Sequence, residues 1–82
     1  MEKPIVHLNG SGREHLVESY TAQVDALNEA IQVLTANGPH GRDYYPNGDD
    51  SFARAEREHA SRLARLLTVR DELNDILESV AN

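Results

Sequence analysis

Val17, Tyr20, Val24, Leu27, Ile31 and Leu34 are spaced 3, 4, 3, 4 and 3 residues apart. A strand alternates with period 2, so this spacing demands a helix with a single apolar stripe. A second stripe follows at Phe52, Ala55, His59, Arg62, Leu66, Val69, Leu73, Ile76 and Val80. Leu63 and Leu77 widen one of its flanks, and Leu67 falls further round. Between the stripes, residues 37–50 hold three of the five glycines and two of the three prolines, whereas residues 51–81 hold neither. The 82 residues therefore read as one all-α domain: arm 1–10, helix 11–37, loop 38–50 and helix 51–81.

Local signals support these boundaries. Ser11 suits an N-cap, with Glu14 three residues on to reach back in a capping box. Asn37-Gly38-Pro39 stops the first helix, Gly38 offering a left-handed C-cap and Pro39 unable to continue. Asp49-Asp50-Ser51 suits the start of the second. If Leu34 lies opposite Phe52, antiparallel pairing places His59 near Leu27. The second stripe spans 29 residues, so its helix overreaches the first by about a turn at ~1.5 Å per residue. The arm Ile5-Val6-His7-Leu8 is placed to cover that C-terminal end.

Two antiparallel helices form a hairpin, which cannot enclose a core alone, and chains this short generally need a further staple. The absence of cysteine excludes disulfides, a thiolate zinc site and a cysteine nucleophile. Self-association is the remaining common solution, with Leu16, Val33, Leu63, Leu67 and Leu77 offering a second surface. The expected architecture is a homo-oligomeric helix bundle, a dimer first of all.

Fourteen acidic against eight basic side chains give a net charge of −6, which disfavours nucleic acid as a partner. No apolar run exceeds two residues, so no membrane span is expected. The start does not read as a secretory signal. A soluble, reducing, cytoplasmic setting fits.

The loop carries the richest chemistry. Arg42 can grip a phosphate or carboxylate, Tyr44 and Tyr45 supply stacking faces, and Asp43 and Asn47 add hydrogen-bonding groups. Together they suit a nucleotide-like ligand. The competing reading is a loop that packs its tyrosines on the bundle end and pairs Arg42 with Asp43. At the other end, Asn9, Ser11 and Arg13 join a Gly-rich turn to a helix N-terminus, which favours anions, and a neighbouring subunit can present them. The Gly-Lys-Ser/Thr ending of a P-loop is missing.

His59 and Arg62 interrupt the apolar stripe, either as a register device or as part of a polar cavity for an anion. Residues 52–70 hold five arginines against two glutamates, a local positive balance that i,i+4 pairing such as Glu58-Arg62 also explains. Glu56-Arg57-Glu58-His59 has Glu-x-x-His spacing, but the facing helix offers no inward carboxylate to complete a di-iron site. No catalytic constellation, metal site or cofactor is expected.

His7-Leu8-Asn9-Gly10-Ser11 and Gly41-Arg42-Asp43-Tyr44-Tyr45-Pro46 together resemble a family of small, mostly uncharacterised helical proteins of tailed bacteriophages and prophages. These join an HLNG-Ser/Thr arm to a GRDYYP loop between two helices. The resemblance implies phage origin and the host-cell cytoplasm, and it favours an accessory or counter-defence role. The functional expectation is a non-enzymatic module that sequesters a small anionic, nucleotide-like ligand. The alternative is a phage interaction or structural protein that meets a host or phage protein through its loop and helix surfaces.

Overall fold

The computed structural model describes residues 1–6 and 12–81. Helix α1 runs Arg13–Ala36 and helix α2 runs Ser51–Ala81, joined through two 3-10 turns at Gly41–Asp43 and Tyr45–Asn47. Among the described residues there is no strand. The helices pack side by side, tied by two bonds far apart in sequence. His59 Nε2 donates to the Leu34 carbonyl at 2.7 Å, and Arg70 Nη1 donates to Asn28 Oδ1 at 3.2 Å. Advancing along α2 thus means retreating along α1, and the pair is an antiparallel hairpin.

All six apolar stripe residues of α1 are at least partly covered, Val24 most of all. On α2 the covered line differs from the heptad stripe. It passes through Phe52, Ala55, His59, Leu63, Leu66, Arg70, Leu73 and Leu77, while Arg62 and Val69 face solvent; the stripe's last members, Ile76 and Val80, are the most deeply covered of the helix. A heptad assumes 3.5 residues per turn, and a straight helix drifts about 20° per heptad away from that repeat. Three and five turns on from Phe52, at about 3.6 residues each, the inward direction falls on Leu63 and Arg70.

The register also differs from the pairing of Leu34 with Phe52. His59 occupies the place opposite Leu34, a shift of one heptad. The surplus length of α2 therefore lies at the loop end, where its first turn and a half, Ser51 to Glu56, runs on beyond α1. The loop covers this overhang. Tyr44 packs on Phe52 with ring centroids 6.4 Å apart, and the backbone at Gly41 lies against the same ring. Burying Phe52 under the loop replaces burying it under Leu34.

The helix ends are capped otherwise than expected. Gly12 stands at the N-cap of α1 without a side-chain bond, and Ser11 lies outside the described residues. Gly38 does not adopt a left-handed conformation. Instead Asn37 turns back, its amide N–H donating to the Leu34 carbonyl at 3.3 Å and its Nδ2 to the Val33 carbonyl at 2.7 Å. The Leu34 oxygen so receives both Asn37 and His59, filling two lone pairs at an end where helical carbonyls lack partners. Among the described residues only Gly48 has positive φ, 107°, and it turns the chain into α2. The Asp50 carbonyl then accepts from the Arg54 N–H at 3.0 Å.

At the far end Val80 is 1 % exposed and Ile76 is buried. Ile5 and Val6 of the arm stay exposed, and His7 and Leu8 lie outside the described residues. The radius of gyration is 18.3 Å, whereas a compact domain of this length has about 12 Å. The hairpin is a rod, and among its described residues only Val24, Ile76 and Val80 are buried hydrophobics.

Candidate functional site

The overhang of α2 and the folded loop bound a cleft of about 440 Å³. Asp43 and Tyr44 form its loop wall, and Arg54, Glu58, His59 and Arg62 form its α2 wall. Asn37 through His40 close the side where α1 ends. The α2 residues recur every three or four positions, so they share one flank of the helix. The loop reaches them because each 3-10 turn shortens it. The Asp43 N–H donates to the His40 carbonyl at 3.0 Å, and the Asn47 N–H donates to the Tyr44 carbonyl at 3.0 Å.

Charge in the cleft is balanced, with Arg54 and Arg62 against Asp43 and Glu58. Arg62 and Glu58 approach to 3.7 Å, but both side chains are more than half exposed, and such pairs stabilise by only ~0–1 kcal/mol. Among the described residues neither Arg54 nor Asp43 has a side-chain hydrogen bond or ion pair. Both remain available to a ligand. The Leu34 carbonyl only accepts, so His59 Nε2 carries hydrogen. In neutral His59 the other ring nitrogen, Nδ1, is then an acceptor. His40 accepts through Nδ1 from the Arg42 backbone N–H at 3.3 Å, leaving its Nε2–H as donor when the ring is neutral.

The structure divides the residues singled out from sequence. Asp43 and Tyr44 line the cleft; Arg42 and Asn47 are exposed and do not. Tyr45 is 78 % exposed and borders a separate, smaller groove with Gly41, Gly48, Asp49 and Phe52. The packing reading of the loop holds in part: Tyr44 packs on Phe52 at the bundle end, and Tyr45 does not. No ion pair joins Arg42 to Asp43 among the described residues. Arg13 begins α1 at the opposite end of the hairpin, and Asn9 and Ser11 lie outside the described residues.

Arg54 enters the site from α2 without having been marked as a binding residue. Its signal in the sequence was the arginine excess over 52–70, joined to the polar break at His59 and Arg62. Among the described residues no three His, Asp or Glu side chains group as a metal site. No helix of the described residues is long and apolar enough to cross a membrane. No protein-family model, curated protein or solved structure matches this chain.

Proposed function

We propose that this chain is a small phage accessory protein that works without catalysis in the host cytoplasm, binding a small anionic, nucleotide-like ligand as a homo-oligomeric hairpin. The observation that carries the reading is the cleft itself: a loop folded back on an overhanging helix sets a tyrosine, a carboxylate and an arginine around one space. Tyr44 offers a ring to a base, Asp43 accepts from ribose hydroxyls, and Arg54, helped by Arg62, takes the phosphate. Arg42, Tyr45 and Asn47 act from the outer side of the loop. Sequestration in a counter-defence role needs affinity and no turnover. The phage assignment is supported by the arm and loop motifs alone. Self-association is supported by the scarcity of buried apolar residues in the single hairpin.

Calorimetric titration with a panel of mono-, di- and cyclic nucleotides tests the reading. Binding of one class, weakened at least tenfold by Arg54→Ala and by Tyr44→Ala in folded protein, is the expected result. A chain that binds none of them overturns it.

A second reading, a docking protein for a host or phage polypeptide, is favoured by Tyr45. An aromatic ring 78 % exposed on an ordered turn fits an interface anchor better than a ligand wall. A stoichiometric partner recovered by wild-type protein and lost with Tyr45→Ala would establish it in place of the first.

A further inference from the structure

We infer that the outer face of α2 is the surface on which a second copy of this chain docks, antiparallel and about a two-fold axis near Ala64 and Arg65. The inference rests on the self-association part of the reading above and assigns its geometry. The hairpin exposes 6113 Å², against roughly 4,900 Å² for a compact monomer of 9.1 kDa. That excess leaves room for a partner, and two features of α2 say which partner and how.

The first is a groove of about 480 Å³ lined by Ser61, Ala64, Arg65, Thr68 and Val69. Two of its polar side chains bond the helix's own carbonyls. Thr68 Oγ1 donates to the Ala64 carbonyl at 3.0 Å, and Arg65 Nε donates to the Ser61 carbonyl at 3.3 Å. What faces outward is the Thr68 methyl, the Arg65 stem, Ala64 and Val69, itself 45 % exposed. These are small or flat groups, and they let a second helix approach closely.

The second feature is charge. The N-terminal half of α2, residues 51–65, carries four arginines and two glutamates; the C-terminal half, 66–81, carries one arginine and four acids. Parallel copies would set like against like. Antiparallel copies set the basic half against the acidic half twice over. The groove centres on Arg65, next to the midpoint of the helix, so the two-fold that superposes the grooves also aligns the full length. It pairs Ser61 with Thr68 and Arg57 with Glu72, all exposed in the single chain. The bond to Ser61 draws each Arg65 guanidinium a turn away from the axis, separating the two like charges. The same symmetry brings the Arg13 end of one copy level with the loop end of the other.

Sedimentation equilibrium of the full chain tests this with Arg57→Glu, Glu72→Arg and the double variant, each checked for helicity by circular dichroism. The wild type is expected to dimerise. Each single reversal is expected to raise the dissociation constant on the order of tenfold, since each repeats at two symmetric contacts, and the double variant to restore it. Should a single variant lose helicity, the milder Arg57→Gln and Glu72→Gln set gives the same readout. A dimer indifferent to these reversals overturns the interface while leaving self-association standing; a monomer overturns both.

Discussion

His59 and Leu34 meet at 2.7 Å, ring nitrogen to main-chain carbonyl, and this one bond sets the register of the hairpin. It falls where α1 runs out of amides for its last carbonyls, so a side chain of α2 completes the end of α1. His59→Ala removes the donor and opens a gap beside Gly38. It is expected to destabilise the hairpin by about 1–3 kcal/mol, with helix content retained at low temperature. Thermal denaturation followed by circular dichroism checks this, and an unchanged midpoint would remove the register role of His59.

Arg70 and Asn28 form the second tie, at 3.2 Å. Arg70 also meets its neighbour Asp71 at 3.1 Å, with Asp71 largely exposed, so the cross-helix bond is the one that matters for packing. A double-mutant cycle with Arg70→Ala and Asn28→Ala is expected to give a coupling of about 0.5–1.5 kcal/mol. The matching cycle of Arg70 with Asp71 is expected to fall below about 0.5 kcal/mol. Urea denaturation of the six proteins decides between them.

Gly48 stands at φ 107° and ψ 165°, a region that side chains other than hydrogen rarely enter. No heavy atom crowds the place where a Cβ would go, so any cost of Gly48→Ala is conformational. That cost is expected to be about 1–3 kcal/mol, read as a lowered melting temperature. Gly12→Ala is the control: it has ordinary φ and equal space, and is expected to stay within about 0.5 kcal/mol.

Phe52 is where loop and overhang join. Phe52→Ala is expected to remove about 1–2 kcal/mol, less than a fully enclosed ring loses, and to do so locally. Amide exchange should quicken across 41–47 and the first turns of α2 while Val24 to Leu34 keeps its protection. Uniform loss of protection would mean that the loop and the hairpin unfold together.

Much of this was legible in the sequence. Val17 to Leu34 announced a helix and its inner face, and Gly38, Pro39, Pro46 and Gly48 announced the break. The heptad reading of α2 held at its end, where Ile76 and Val80 are buried, and went astray at Arg62 and Val69 in the middle, because spacing alone does not tell a supercoiled helix from a straight one. Register was hidden for another reason. Phe52 and His59 lie one heptad apart and satisfy the same stripe, so spacing could not choose between them; the bond from His59 to Leu34, with Phe52 taken up by the loop, does. The loop's chemistry was visible as a set of residue types. Its division into an inward Tyr44 and an outward Tyr45 depends on two consecutive 3-10 turns, which composition does not encode.

The overhang of α2 is a cantilever. From Ser51 to Glu56 the helix has no α1 beneath it, so its resistance to bending comes from its own backbone bonds and from the loop packed on Phe52 near the tip. The arginine and carboxylate walls of the cleft belong to two parts joined chiefly through that contact, and the width of the cleft is governed by whatever holds Tyr44 to Phe52. A molecule that bridges Asp43 and Arg54 acts as a brace at the free end. It stiffens the tip while the body of the hairpin, already clamped at His59 and Arg70, is left as it was.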